Sequence, residues 1–232
     1  MEKVGENLNN RIQTDIIYTD FRKAFDSVDH RILLSKMSAM GFSNKLTNFM
    51  SSYLSKRQLY VSYEGVRSQI FYPTSGVPQG ANLGPLLFII FINDLVCQLG
   101  EDSLVFADDV KIFRSIRSQQ DNIVLQESLN GLIRWCSANR IYLNTHKCAV
   151  MSISKSANVV LENYNMEDTV MKRVTTFRDL GITFSSDLGF GQHIANISKS
   201  AVETIGFVLR NCRNFSNIET LRSLRLIGKA KA

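Results

Sequence analysis

Hydrophobic and polar residues alternate along the chain with two periods, one typical of strands and one typical of helices. An apolar run at residues 15–19 ends at Asp20, which predicts a short buried strand. Beyond it, Asp29 precedes apolar residues at helical spacing, and this run stops at Gly41. The arrangement predicts a helix that Asp29 caps and Gly41 terminates. The first elements predicted are therefore a strand and a helix.

Two hairpins are predicted further along the chain. Residues 58–72 alternate between apolar and polar side chains around a Glu-Gly pair, which favours two strands joined by a tight turn. The β-prone runs 104–107 and 110–113 flank Asp108 and Asp109. A turn between these runs places the two carboxylates at the tip of the second hairpin.

The remaining periodicity completes an α+β pattern. Because proline is tolerated in the first turn of a helix, a buried helix is predicted to begin near Pro85. Apolar residues at spacings of three and four over 125–136 predict an amphipathic helix. Residues 141–143 and 149–153 predict strands around a turn at 144–147. We therefore expect an antiparallel sheet packed on helices.

Composition places the chain among globular proteins that could bind a polyanion. It has 232 residues, of which 44% are hydrophobic and 21% charged, so disorder and coiled coil are excluded. Lys and Arg outnumber Asp and Glu by 27 to 21, a net charge of +6. The excess is concentrated from Lys199 onwards, and residues 193–227 are predicted to be mainly helical. This balance favours a polyanionic partner, with the basic face in the C-terminal part.

Cysteine spacing and hydropathy suggest an intracellular protein. The four cysteines form no CxxC or Cys/His pair with metal-binding spacing, so free thiols in a reducing compartment are expected. The longest apolar run, residues 86–92, is far shorter than the roughly 20 residues that a membrane span needs. The N-terminus has no apolar segment typical of a signal peptide. We expect a protein of the nucleus or cytoplasm that is neither secreted nor bound to a membrane.

The strongest candidate chemistry comes from three carboxylates. If the strand ending at Asp20 neighbours the hairpin that carries Asp108 and Asp109, the three side chains converge. Close carboxylates repel one another unless a divalent cation neutralises them, and oxygen ligands suit magnesium. Two such ions about 4 Å apart would support phosphoryl transfer. The alternative is an ordinary solvated turn at Asp108 and Asp109 and a strand cap at Asp20.

Three segments in fixed order carry a family resemblance. Residues 18–26 (YTDFRKAFD), 75–85 (SGVPQGANLGP) and 106–109 (FADD) resemble the palm motifs of reverse transcriptases from non-LTR retrotransposons, particularly those of arthropods. The resemblance extends from about residue 14 to about residue 190. It implies a polymerase palm over 1–190, with the fingers-side connection near 41–73. Residues 191–232 would form a partial, basic, helical thumb.

The resemblance also implies a role for individual residues. Asp20, Asp108 and Asp109 would bind two magnesium ions, or manganese in their place, with the Phe21 carbonyl as a further ligand. Lys147 would assist catalysis by helping pyrophosphate to leave. The implied nucleotide-binding residues are Phe21, Lys23, Ala24, Phe25, Gln79 and Gly80. The implied primer-binding residues are Leu180 and Gly181.

Several of these roles have structural alternatives. Phe25 is either the steric gate against a ribose 2′-OH or a core residue, and Lys147 is either catalytic or a solvated loop lysine. Leu180 and Gly181 could equally form an ordinary strand-ending turn. The basic C-terminal segment either grips duplex nucleic acid or is the solvated face of a helix.

The function implied is that of an RNA-directed DNA polymerase. It would extend a DNA primer on an RNA template with deoxynucleoside triphosphates. Family members carry fingers and endonuclease regions upstream that these 232 residues do not include, so those regions are expected in a full-length parent. The alternative is a retrotransposon relic that binds nucleic acid without turnover.

Overall fold

The computed structural model describes residues 2–156 and 159–211. It divides the chain into two compact units, Met1–Val174 and Thr175–Ala232, which we describe separately. The division into a palm over 1–190 and a thumb over 191–232 stays a prediction. The part of the proposed thumb beyond residue 211 lies outside the described residues.

The described residues contain six helices and eleven strands, together with short 3-10 turns at Ala24–Asp26 and Gly100–Asp102. The helices are α1 Glu2–Asn9, α2 His30–Ala39, α3 Asn44–Leu54, α4 Leu83–Leu99, α5 Gln119–Ala138 and α6 Gly191–Asn211. The strands are β1 Gln13–Asp20, β2 Ser62–Tyr63, β3 Val66–Arg67, β4 Ser103–Phe106, β5 Asp109–Ile116, β6 Ala149–Ile153, β7 Asn165–Met166, β8 Thr169–Val170, β9 Lys172–Arg173, β10 Thr176–Asp179 and β11 Ile182–Ser185.

A five-stranded sheet in the order β4-β5-β1-β6-β9 is the centre of the first unit. Its pairs are antiparallel except for the short parallel pair of β6 with β9. Ile17 on the central strand faces Ile112 on one side and Val150 on the other. Since residues in register point to the same face, these three buried side chains form one apolar row. The expected antiparallel sheet packed on helices is therefore confirmed.

Helices α4 and α5 supply the main apolar layer against this row. Leu87, Phe88 and Phe91 of α4 are at most 1% exposed, as are Leu125 and Leu129 of α5. They belong to the same core cluster as Ile17 and Ile112. The core therefore lies directly behind the strands that carry the candidate carboxylates.

Local signals in the sequence correctly located most of the elements. Asp29 caps α2, because its side chain accepts hydrogen bonds from the amides of Arg31 and Ile32. The hairpin of β2 and β3 turns at Glu64 and Gly65, both of which have positive φ. Helix and hairpin boundaries that depend on caps and turns are thus set locally.

The prediction of a strand at 141–143 is wrong. This segment makes a single bridge, between Leu143 and Phe21, and otherwise has no regular pairing. Its first residue is bonded to the last turn of α5 instead, since the amide of Ile141 donates to the carbonyl of Cys136 at 3.0 Å. An apolar run can thus bury side chains beside a strand without forming the ladder that defines one.

Helix α4 and the turn after it, Leu83–Asp102, are long and apolar enough to cross a membrane by length and composition alone. The core helix of a globular protein can have the same length and composition, and one side of α4 is buried in the core of the first unit. The expectation that the protein does not bind a membrane stays a prediction.

The second unit contains a hairpin and a helix. Strands β10 and β11 pair from Thr176 with Ser185 to Asp179 with Ile182. Leu180 and Gly181 form the turn between them, with φ of 46° and 85°. Helix α6 follows, as predicted from the C-terminal periodicity, and none of its residues is buried.

Candidate active site

The end of β1 and the β4–β5 turn meet at one edge of the central sheet. Asp20 is the last residue of β1 and lies opposite Asp109, the first residue of β5. Asp108 lies in the two-residue turn before Asp109, and Ala107 beside it has a φ of 51°. The expected placement of the carboxylates, one at a strand end and two at a hairpin tip, is therefore what the structure contains.

A pocket of about 480 Å³ opens beside this edge. Its wall comes from the end of β1 and the turn after it, the loop before α4, the β4–β5 turn and the loop before β6. The lining residues are Asp20, Phe21, Lys23, Ala24, Phe25, Asp26, Pro78, Gln79, Gly80, Pro85, Asp108 and Lys147. Every residue that the resemblance implies for nucleotide binding is among them.

The three carboxylates do not form one preassembled cluster. Asp20 and Asp108 line the pocket, whereas Asp109 is not part of its lining. Within residues 2–156 and 159–211, no set of three or more His, Cys, Asp or Glu side chains is placed to hold a metal ion. Asp108 lies in the turn and Asp109 is the first residue of β5, so these two neighbours differ in backbone environment.

A lysine contacts the first carboxylate. Lys147 Nζ lies 3.3 Å from Oδ2 of Asp20, and its side chain is 66% exposed. The loop that carries it is fixed along the end of β1, because the Asn144 amide donates to the Asp20 carbonyl and the Arg22 amide donates to the Tyr142 carbonyl, both at 2.7 Å. Lys147 is therefore an exposed cation on an anchored loop.

Behind the same carboxylate lies a buried thiol. Burial raises the pKa of Cys148, and the negative charge of Asp20 raises it further, while a hydrogen bond with the Asp20 backbone opposes the shift. Cys148 is 3% exposed. It is therefore a neutral packing residue beneath the site.

Phe25 lies in the 3-10 turn that follows β1. Its ring stacks on Phe88 of α4, with centroids 4.7 Å apart and planes 24° apart, and the residue is also part of the pocket lining. The turn begins at Lys23, which has a left-handed φ of 49°. Both interpretations of Phe25 thus have a structural basis, since the residue packs on a core phenylalanine and also lines the pocket.

The loop Ser75–Gly80, which we call the SGVPQG loop, packs tightly against this turn. The Gln79 side-chain amide donates to Oδ1 of Asp26 at 2.8 Å. A Cβ added to Gly76 would lie 2.8 Å from the Asp26 Cα, and one added to Gly84 would lie 2.1 Å from the Pro78 carbonyl oxygen. These two glycines allow the loop to approach the 3-10 turn on one side and α4 on the other.

Two residues outside the predicted set also contact this loop. A ring nitrogen of His30, Nε2, and an Arg57 guanidinium nitrogen lie 2.8 and 2.7 Å from the Gly76 carbonyl oxygen. In the sequence, His30 is merely the residue after a cap and Arg57 the residue before a hairpin. Neither position carries a signal for a partner so far away along the chain.

The residues implied for primer binding lie in the second unit. Leu180 and Gly181 form the expected turn of a hairpin. Their role in primer binding stays a prediction, and so does that of the basic C-terminal segment. Of that segment, Arg210 lies within the described residues, whereas Arg213, Arg222, Arg225, Lys229 and Lys231 lie outside them.

An antiparallel sheet packed on helices, with carboxylates at one edge beside a glycine-containing loop, defines a polymerase palm. The family described as "Reverse transcriptase (RNA-dependent DNA polymerase)" matches residues 5–206. The chain therefore belongs to the reverse transcriptase family.

Relatives from insect mobile elements indicate which type of reverse transcriptase the chain resembles. The chain is 29% identical over 192 residues to the RNA-directed DNA polymerase from mobile element jockey of Drosophila melanogaster, covering 79% of this chain and 21% of that protein. It is 28% identical to the retrovirus-related Pol polyprotein from type-1 retrotransposable element R2 of Popillia japonica, covering 74% of this chain and 31% of that one. These similarities identify a reverse transcriptase domain of the non-LTR retrotransposon type. The chain spans about a fifth to a third of the length of these relatives.

Solved structures support the same fold. Apo telomerase from Candida tropicalis, truncated from its C-terminal domain, superimposes with a TM-score of 0.56 at 13% identity, covering 82% of this chain and 38% of that one. Telomerase from the same organism in complex with a fragment of telomeric RNA gives 0.55 at 14% identity, covering 99% and 40%. At this identity the likeness concerns the fold alone.

Proposed function

We propose that this chain carries the catalytic palm of an RNA-directed DNA polymerase, which transfers a deoxynucleotide to a primer 3′-OH. The observation that carries the proposal is the single pocket that gathers Asp20, Phe25, Gln79, Asp108 and Lys147 from four separate segments. A pocket that combines carboxylates, an aromatic ring, an amide and a cation suits a nucleoside triphosphate. The names of the relatives, as RNA-directed DNA polymerases, agree with this chemistry.

The donors at this pocket fit a hard divalent cation. Asp20 and Asp108 both line the pocket, and carboxylate oxygens are ligands that magnesium or manganese takes. The position of the Lys147 ammonium beside Asp20 indicates a carboxylate that attracts positive charge. We propose that Asp20 and Asp108, with Asp109 and the Phe21 carbonyl nearby, hold two magnesium ions, which would activate the primer oxygen and neutralise the phosphates.

The protein's own residues would bind and orient the nucleotide. Backbone amides near Lys23 and Ala24 would face the phosphates, since successive amides in a tight turn form an anion site. The Phe25 ring would lie beneath the sugar, where it leaves no room for a 2′-OH. Gln79 and Gly80 would face the base and the template, and Lys147 would offset the charge of the departing pyrophosphate.

The proposed partners are an RNA template and a DNA primer. The template follows from the RNA-directed activity in the relatives' names and from the RNA fragment bound to the yeast telomerase of similar fold. We propose that Leu180 and Gly181 contact the primer end. We propose that the chain acts inside the cell, in the nucleus or the cytoplasm. The fingers and endonuclease regions proposed for a full-length parent would complete the assembly.

Primer extension by an Asp108→Asn variant tests the proposal. The substitution removes one charge from the pocket and preserves the side chain's shape, so we expect the rate to fall by at least about a thousandfold. Asp168→Asn, in the exposed turn between β7 and β8, is the matched control and should extend primers normally. Equal melting temperatures would show that both variants are folded.

Undiminished extension by Asp108→Asn would contradict the proposal. A wild-type chain that binds primer–template but extends nothing, with magnesium and deoxynucleotides supplied, would support the alternative of a relic that binds nucleic acid without turnover.

A further inference from the structure

The carbonyl group of Gly76 accepts side-chain hydrogen bonds from two directions. His30 Nε2 lies 2.8 Å from the carbonyl oxygen and Arg57 Nη2 lies 2.7 Å from it. We propose that His30 and Arg57 are positioning residues that together fix the SGVPQG loop in the form that binds the nucleotide. This inference rests on the proposed polymerase function.

The two donors come from different parts of the fold. His30 is the first residue of α2, whereas Arg57 lies between α3 and the β2–β3 hairpin. Arg57 is itself oriented by a second hydrogen bond, from Nε to the Leu54 carbonyl at 3.2 Å. Because a carbonyl oxygen can only accept, His30 must carry its proton on Nε2 to make the contact. The loop is thus held by two residues that are not themselves part of the pocket lining.

Gly76 is also held by backbone contacts on the side of the 3-10 turn. Its amide donates to the Val28 carbonyl, and the amide of Val77 donates to the Phe25 carbonyl, both at 2.8 Å. With a φ of +85° and the Asp26 backbone against it, Gly76 leaves no space for a shift toward the 3-10 turn. Gly76 therefore fixes the start of the segment Val77–Gly80, whose last two residues, Gln79 and Gly80, line the pocket.

Two donors on one oxygen give more control of orientation than either would give alone. A single hydrogen bond allows the peptide plane to rotate about it, whereas two from separate elements fix the plane. The loop has no secondary structure of its own between the hairpin and α4. Removal of either donor should therefore loosen the loop. Because the two donors act on the same carbonyl, removal of the second should loosen the loop less than removal of the first did.

The experiment compares variants that keep the donor with variants that lose it. His30→Gln keeps a side-chain N–H at a similar reach, and His30→Leu removes it; Arg57→Lys keeps a charged donor, and Arg57→Met removes it. Arg31→Met, an exposed arginine in the same helical turn as His30, is the matched control. All are made in the 232-residue chain.

The first measurement is hydrogen exchange of backbone amides, which needs no catalysis. In His30→Leu and Arg57→Met, exchange at Gly76 and Val77 should rise about tenfold, while the amides of α2 keep their wild-type rates. His30→Gln and Arg31→Met should exchange as the wild type does. Faster exchange through α2 as well would show a general structural role and would overturn the inference.

The second measurement separates binding of the nucleotide from its turnover. Primer extension by the two donor-less variants should show KM for the deoxynucleotide raised about tenfold with kcat changed less, and His30→Gln should restore KM. If wild-type protein extends primers and both donor-less variants keep wild-type KM, the positioning role is wrong and the polymerase proposal stands. If wild-type protein extends nothing, the polymerase proposal fails, and the exchange experiment still decides whether these donors hold the loop.

Discussion

Phe25 stacks on Phe88 with ring centroids 4.7 Å apart, so a residue that lines the pocket beside Asp20 is anchored to the core helix α4. Phe88 is fully buried, whereas Phe25 is half-buried. The gate proposed for this ring therefore has a rigid support. Its packing also means that any truncation affects stability and specificity together.

Truncation of this ring should change sugar selection. Phe25→Ala opens space beside the sugar position, so we expect the preference for deoxynucleotides over ribonucleotides to fall by at least about tenfold. Loss of half-buried aromatic packing should also cost roughly 2 kcal/mol of unfolding free energy. Incorporation of the two nucleotide types and the melting temperature measure the two effects.

A second phenylalanine serves as control for this prediction. Phe42 is partly buried against the same core and is not part of the pocket wall. Phe42→Ala should lower the melting temperature without changing the sugar ratio. If Phe25→Ala behaves in the same way, Phe25 is a core residue only.

Lys147 and a divalent cation should compete for Asp20. Its ammonium lies 3.3 Å from the carboxylate, on a side chain that is 66% exposed. Exposed ion pairs are weak, so Lys147→Met should tighten Mn²⁺ binding only about threefold. Titration of the free Mn²⁺ signal by electron paramagnetic resonance measures this, with exposed Lys155→Met as control. Weaker Mn²⁺ binding by Lys147→Met would contradict the competition.

Gly84 should not tolerate a methyl group. A Cβ there would lie 2.1 Å from the carbonyl oxygen of Pro78, a backbone atom that can move only with the SGVPQG loop. We expect Gly84→Ala to lower stability by about 2 kcal/mol or more and to weaken nucleotide binding. Gly131→Ala is the matched helical control, since its nearest neighbours are 3.9 Å away. That substitution should be neutral or stabilising, by up to about 1 kcal/mol, in chemical denaturation.

Asp121 at the start of α5 should make stability depend on pH in acid. Hydrogen bonds lower its pKa below the usual 3.8, chiefly from the Arg117 amide and then from Ser118 and Arg114, and they outweigh burial. Since the folded-state pKa is the lower one, the stabilisation is fully present above about pH 4 and is lost as the pH falls through the folded value. Asp121→Asn should therefore cost about 1 kcal/mol near pH 7.

The same comparison at low pH completes the test of Asp121. Below the folded pKa the wild-type carboxyl is protonated and therefore uncharged, as the Asn side chain is at every pH. The difference in unfolding free energy between the two proteins should therefore shrink. Urea unfolding at several pH values between neutrality and about pH 2.5 follows this difference. A difference that stays constant across the range would show that the charge of Asp121 contributes nothing.

The sequence by itself determined the local elements and the chemistry of the site. The cap at Asp29, the turn at Glu64 and Gly65, and the carboxylate at the hairpin tip each depend on residues within a few positions of one another. Signals of this kind are readable because backbone geometry and short-range hydrogen bonds produce them directly. The other motif residues of the pocket were predicted differently, from the resemblance of three segments, in fixed order, to a known family.

Only the tertiary structure decided which of these residues meet. It placed Asp109 opposite Asp20, brought Lys147 beside Asp20, and joined His30 and Arg57 at Gly76. It also left residues 141–143 without the strand that their apolar run predicts. The physical reason is that such contacts join segments far apart in the chain, and strand register and packing against a shared core select among many partners that local patterns cannot distinguish.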